Sequence, residues 1–159
     1  MPRQGLCQDS IVHAAVGLIE EKGIAHFSMG ALARQLHVKT ASLYNHVKSL
    51  EQLLALVGQE AICRLAQQER QAIAGRQGED ALFALARAYR AFAREHYQLY
   101  LVIMAFPKWD NSALKQQASQ IVSPILQVLS DYGLPPEQQF HWQRVLRAVM
   151  AGFAFHEQA

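Results

Sequence analysis

The chain has 159 residues, 51% of them apolar, which suits one medium domain or a small domain joined to a larger one. Fifteen Lys and Arg against thirteen Asp and Glu leave a net charge of +2, so bulk charge announces no nucleic acid. The first residues lack the apolar core of a signal peptide and no stretch nears the roughly 20 apolar residues of a membrane span, so no membrane association and a cytoplasmic location are expected.

Ala, Leu and Gln abound and alternating β-rich runs are absent, which predicts an all-α chain. Asp9 or Ser10 opens a first helix with Ile11, Ala14, Ala15, Leu18 and Ile19 on one face, and Gly23 stops it. Ser28 caps a second, short helix whose apolar stripe is Met29, Leu32, Ala33 and Leu36. After a tight turn at His37-Val38, Lys39 or Thr40 begins a third helix of about eight residues, marginal on its own, with Leu43 and Val47 facing inward. Ser49 caps a long fourth helix with Leu53, Leu54, Val57, Ala61 and Leu65 on its apolar face. Gly75 and Gly78 break it and mark a linker. Glu79 and Asp80 favour the start of a fifth helix running to about Tyr97, and a short apolar segment then ends at Pro107. Asp110 or Asn111 caps a helix that carries Pro124 in its interior, where a kink or break is expected. Gly133 ends that helix, and Pro135-Pro136 starts a last one that runs to the end of the chain.

Cys7 and Cys63 have no metal-ligand spacing and read as buried or half-buried thiols of a reducing compartment rather than a disulfide. Charge is tilted: residues 1–50 carry five Lys and Arg against three acids, and four of the seven His.

The second and third helices, with the turn between them, form a helix-turn-helix. Ala33 is small at the point of closest approach, and Leu32, Leu36, Val38 and Leu43 supply the shared apolar contact. A polar face on so short a helix points to a binding surface, and a DNA major groove admits one helix. The stretch "FSMGALARQLHVKTASLYNHVKSLEQLL", within residues 9–56, resembles the DNA-binding domain of the TetR family of bacterial transcriptional regulators. The resemblance places Thr40, Ala41 and Ser42 where the family reads base edges, and Tyr44 and His46 where it clamps phosphates. Asn45 lies on the same polar face. Ser28 becomes a phosphate contact at a helix start, and Lys39 and Lys48 become neutralising cations. Taken singly, Tyr44 also suits a packing residue with a wet hydroxyl, His46 an ordinary surface histidine, and either lysine a solvated cation. Two positions depart from the family pattern: His37 stands where Gly is usual in the turn, and Leu50 where Lys is usual at the start of the fourth helix.

"YRAFAREHYQLYLVIM" and "LRAVMAGF" resemble the C-terminal domain of a TetR subgroup, although Ala151-Gly152 replaces the His-Gly often found there. The resemblance implies a DNA-binding domain over 1–50, a linking helix and loop over 51–78, and a helical regulatory and dimerisation domain over 79–159. Family members usually continue with a further helix that completes the dimer bundle; residues 79–159 do not supply it. Phe92, His96, Tyr100, Met104, Trp109, His141 and Trp142 are the candidate ligand-binding residues, set against the plainer reading of aromatic and Met residues as core. The implied function is a homodimeric, ligand-responsive regulator, a repressor released from a palindromic operator in double-stranded DNA by a small-molecule inducer. The alternative is a helical partner-binding protein with a degenerate DNA-binding domain. No Ser/His/Asp order, paired acidic site, Gly-rich phosphate loop or metal cluster is legible, so no enzyme, metal or cofactor is expected.

Overall fold

A computed structural model of the chain describes residues 6–105 and 112–157, with the backbone alone for 112–118. Every regular element among the described residues is a helix: α1 (Gln8–Lys22), α2 (Met29–Gln35), α3 (Thr40–Tyr44), α4 (Leu50–Ile73), α5 (Gly78–Glu95), α6 (Tyr97–Ala105), α7 (Ser112–Ser130) and α8 (Pro136–His156), with one 3-10 turn at Ile24–His26. None of these helices is long and apolar enough to cross a membrane. Two compact units emerge. The first holds residues up to Ala61 with the stretch from Gln98, and the second holds Ile62–Tyr97 with the stretch from 112. α6 is thus grouped with the N-terminal helices, whereas the sequence pattern put it with the regulatory half. One local tie is the N–H of Ile24, which donates to Oε1 of Gln98 at 3.0 Å.

In the first unit, α1 packs on α2, and α2 on α3. Ile11, Ala15, Leu18 and Ile19 of α1 are buried, as are Met29, Leu32 and Ala33 of α2. α1 starts at Gln8 with Cys7 as its N-cap, two residues before Asp9 and three before Ser10. The Ser10 hydroxyl accepts from the Cys7 N–H at 3.0 Å, so Ser10 braces the start from inside the first turn. α2 keeps its expected cap: Ser28 Oγ accepts from the Ala31 N–H at 3.1 Å.

The turn between α2 and α3 is a Schellman closure. The Val38 N–H donates to the Ala33 carbonyl at 3.0 Å and the His37 N–H to the Arg34 carbonyl at 3.2 Å. Such a closure puts one residue in the left-handed region, and His37 takes it with φ 55°. α3 is shorter than expected, five residues instead of about eight, because Asn45 and His46 already turn toward Val47. Burial of Leu43 and Val47, at 0% and 1% exposure, holds it in place. α4 opens as expected on Ser49, whose Oγ accepts from the Gln52 N–H at 3.0 Å, while Gln52 Oε1 reaches back to the Lys48 N–H.

In the second unit, α5, α7 and α8 pack pairwise. Their buried apolar faces include Leu85, Tyr89 and Phe92 of α5, Ile121, Ile125 and Val128 of α7, and Met150 and Ala154 of α8. The second half of α4 adds Ile62, Leu65, Ala66 and Ile73 to the buried apolar residues of this unit. Gln68 Nε2 of α4 donates to the Ala88 carbonyl of α5 at 3.3 Å. Arg90 of α5 holds Glu157, just past α8, through two guanidinium nitrogens. Gly78, expected within the linker, is the first residue of α5, and its N–H donates to Asp131 Oδ2 at 3.0 Å. α5 stops at Glu95, earlier than expected, because His96 leaves helical geometry at φ −119° and ψ 45°.

Pro124 does not break its helix: α7 runs unbroken through it, and Pro124 is buried beside Ile121, Ile125 and Val128. The apolar side chains gathered around it hold the turn that the missing N–H weakens. α8 starts on Pro136 as expected and closes at His156 with Glu157 as its C-cap, so it stops within the described chain. Cys7 and Cys63 are in no disulfide, and both are exposed, contrary to the expectation of buried thiols. Asp110 and Asn111, the expected caps of α7, lie outside the described residues, as does Pro107.

The left-handed position of His37 generates a stability prediction. An L residue there costs about 1–2 kcal/mol, partly offset by the roughly 0.5–1 kcal/mol that Gly loses in chain entropy. His37→Gly is expected to raise stability by about 0.5–1 kcal/mol, read as a higher urea midpoint at unchanged slope.

Candidate nucleic-acid interface and regulatory unit

α3 presents its sides unequally. Leu43 is fully buried against the α2 side of the unit, while Lys39, Thr40, Ala41, Tyr44, Asn45, His46 and Lys48 are all exposed and Ser42 is half-buried. Tyr44 keeps 49% of its surface in solvent, so the packing alternative does not account for it. Thr40 and Tyr44 stand one turn apart on the same side. Ser28 is exposed at the start of α2. Its oxygen accepts from Ala31, which leaves its hydroxyl hydrogen to donate outward. The nine expected DNA contacts therefore come from α3, its two flanks and the first turn of α2. What this surface offers is short hydroxyl and amide groups, one phenol, one imidazole and two ammonium groups. That set suits phosphate oxygens and base edges. Leu50, at the position where the family usually has Lys, is exposed and apolar. The nearby cation is Lys48.

The expected ligand-binding residues divide between the units. In the second, Phe92 is buried, with the half-buried His96 ring tilted at 42° and 5.1 Å away. His141 and Trp142 are exposed near the start of α8, with their rings edge to face. In the first unit, Tyr100 is buried and Met104 exposed. Trp109 lies outside the described residues.

Sequence reasoning passed over two buried polar residues in the second unit. Glu69 of α4 is fully buried, and neither carboxylate oxygen has a hydrogen-bond partner. Gln143 of α8 is buried too, and its Oε1 is likewise unpartnered. Burial pushes the Glu69 carboxyl up from 4.5 to about 8, against the pull of the nearby Arg70 and Arg147 charges. The signal was legible. Val57, Ala61, Leu65, Glu69 and Ile73 recur every four residues, so an acid occupies the apolar stripe of α4. On α8, Gln143 turns inward with Met150 and Ala154, and it is adjacent to the Trp142 that the aromatic count favoured.

A short helix braced from behind, displaying a polar face and followed by a separate helical unit, defines a helix-turn-helix regulator. Comparison with known proteins agrees. Residues 11–57 match the family model described as bacterial regulatory proteins, tetR family, and residues 82–159 match a tetracyclin repressor-like C-terminal domain. An uncharacterised HTH-type transcriptional regulator of Mycobacterium tuberculosis is 33% identical over 153 residues, covering 96% of this chain and 70% of the relative. The chain belongs to the TetR family of transcriptional regulators, whose members bind DNA and are not enzymes. Among solved structures, BioQ with its double-stranded DNA operator shares the fold at a TM-score of 0.73 and 23% identity, covering 96% of this chain and 88% of BioQ. ActR of Streptomyces coelicolor in complex with actinorhodin shares it at 0.70 and 22%, covering 98% and 70%.

Glu69 makes the stability of the chain depend on pH. Between about 4.5 and 8 the folded carboxyl keeps a proton that the unfolded chain has lost. Stability is therefore greatest below that window and falls as pH rises through it. At about 1.4 kcal/mol per pH unit the full loss is on the order of 5 kcal/mol. Glu69→Gln is expected to flatten this decline and to melt above the parent chain at pH 8, as followed by circular dichroism.

Proposed function

We propose that the chain is a homodimeric repressor that grips a palindromic operator through α3 and is released when a small molecule binds its second unit. The observation that carries the reading is the outward polar set of Lys39, Thr40, Ala41, Tyr44, Asn45, His46 and Lys48 around a fully buried Leu43. In this reading Thr40, Ala41 and Ser42 meet base edges, with the Thr and Ala methyls suited to a thymine methyl. Ser28, Tyr44 and His46 hold phosphates, and Lys39 and Lys48 neutralise them. Asn45 adds a donor and acceptor on the same face. The operator-bound BioQ structure supports this assignment by likeness of fold. His37 completes the closure of α2, so the departure in the turn lends no weight to a degenerate DNA-binding unit.

The dimer reading rests on a surface of the second unit. Phe83 of α5 and Val149 and Phe153 of α8 are exposed, the last two at 62% and 58%. With Ala86, Arg87, Arg90 and Met150 they line a shallow cleft of about 210 Å³. A second copy that lays its own α8 on this face would remove that apolar surface from water. Two recognition helices would then span half-sites about 34–36 Å apart. The ligand reading is supported by the fold shared with ActR, solved with actinorhodin. Phe92 and His96 supply an aromatic and an imidazole that such a ligand would meet, and His141 and Trp142 are the further candidates within that unit.

Selection of bound genomic fragments, followed by titration of the enriched site, tests the reading. A palindromic site is expected, with log K falling against log salt at a slope of roughly −4 from Lys39 and Lys48 of two protomers. Tyr44→Ala should weaken the complex on the order of tenfold to a hundredfold with an unchanged melting temperature. Salt-insensitive binding, or no enriched site, refutes the assignment. Separately, Phe153→Asp is expected to shift sedimentation from dimer to monomer and to weaken operator binding with it.

A further inference from the structure

Burial does not hold the turn between α1 and α2: none of Ile24, Ala25 and His26 is buried. Hydrogen bonds hold it instead. The His26 N–H donates to the Gly23 carbonyl at 3.2 Å, and the Phe27 N–H to the Ile24 carbonyl at 3.1 Å. A turn of this kind leaves the N–H of its first residue without a partner of its own. That donor, the half-buried Ile24 N–H, is met by Gln98 Oε1 at 3.0 Å, across 74 residues of sequence. Gln98 stands in the first turn of α6, where Leu99, Tyr100, Val102 and Ile103 are all buried, so the acceptor is offered from an anchored helix. Gly23 leaves space for it. Its φ of 82° and ψ of 152° lie in a region that only glycine enters freely, and a Cβ there would stand 3.3 Å from Gln98 Oε1. Gly23 therefore ends α1 and also admits the Gln98 amide.

We propose that Gln98 is a positioning residue for DNA recognition: from α6 it fixes the turn that aims α2, and through α2 the surface that meets DNA. The proposal rests on the reading of Ser28 and the α3 face as the DNA contacts, and it adds a residue far outside the helix-turn-helix. After His26, the last residue of the turn, only Phe27 precedes Ser28. Phe27 and Met29 bury on either side of Ser28, which fixes the side that it turns outward. The angle at which the chain arrives is left to the turn. α3 follows α2, because the Val38 N–H bond to the Ala33 carbonyl and the burial of Leu43 tie the two helices. Without Gln98 Oε1, the Ile24 N–H finds a partner only by turning toward water, and the turn opens. The free chain then samples several approaches of α2, and DNA binding has to select one of them at a cost in affinity. Gln98 is also the residue at which the chain passes from the second unit back into the first.

The test titrates the full chain with the selected DNA fragment well below the melting temperature, where parent and variants are folded. Gln98→Met keeps the length of the side chain and removes the acceptor, whereas Gln98→Glu keeps an oxygen at the same reach. Gln98→Met is expected to speed hydrogen exchange of the Ile24 amide about tenfold and to weaken DNA binding about threefold to tenfold. Gln98→Glu should keep both within about twofold of the parent. When Gln98→Met is combined with Ser28→Ala, the loss in binding free energy should fall short of the sum of the single losses, since both act at the start of α2. A Gln98 that serves stability alone lowers the melting temperature of the Met variant and leaves the DNA affinity of the folded chain unchanged, and that result overturns the proposal. A Glu variant that binds as weakly as the Met variant overturns it too, and so does a double variant whose losses add in full. If Tyr44→Ala also binds DNA like the parent, the reading of the α3 face falls and the proposal falls with it.

Discussion

The recognition surface depends on one backbone closure, the bond from the Val38 N–H to the Ala33 carbonyl. α3 has five residues, far below the length at which a helix persists alone. Its geometry is imposed from outside. The closure ends α2 and redirects the chain. Leu43 and Val47 then bury, and the capped start of α4 holds the exit, with Ser49 and Gln52 bonding on both sides of the turn. Polar residues on the remaining face cost little, because the helix they ride on is held by its apolar side. Chemistry on the surface and stability beneath it are thus carried by different residues. Thr40 or Ala41 can vary without loosening the unit that presents them.

His37 shows how a departure from a family pattern can be absorbed. The closure requires a residue in the left-handed region, and glycine meets that requirement without a Cβ penalty. The chain uses histidine, exposed and at φ 55°, and both closing hydrogen bonds still form. The departure is therefore a stability cost at one residue and leaves the recognition helix in place. Leu50 is different in kind. It starts α4 regularly, so what changes there is charge beside the recognition surface.

The first unit was largely legible because its signals are local. Caps at Ser28 and Ser49, the stripe through Leu32 and Ala33, and the inward pair Leu43 and Val47 all lie within a few residues of what they control. Misreadings came where burial overrides a local rule. Pro124 was expected to disturb α7, yet packed neighbours carry the helix through it. The length of α3 was overestimated because its end is set by the burial of Val47 rather than by a stop residue. α8 shows the wider difficulty. Phe140, Trp142, Val149, Phe153 and Phe155 are all exposed, while Gln143, Met150 and Ala154 turn inward. With apolar residues around so much of the helix, periodicity does not mark the core face. A count of aromatics therefore selected Trp142 and passed over Gln143.

Glu69 reverses the relation seen in α3. There, polar groups are displayed and apolar ones hold the fold; here a carboxyl sits on the stripe that should hold it. An apolar residue in its place would extend the run of Val57, Ala61, Leu65 and Ile73 without interruption. A buried polar group without a partner costs more than a packed apolar one, so fold stability gives no reason to keep the carboxyl. Local conflicts of this sort tend to mark positions whose use lies elsewhere. Its setting narrows that use. Full burial puts it out of reach of bulk solvent, and the absence of any hydrogen-bond partner means that no network within the unit depends on it.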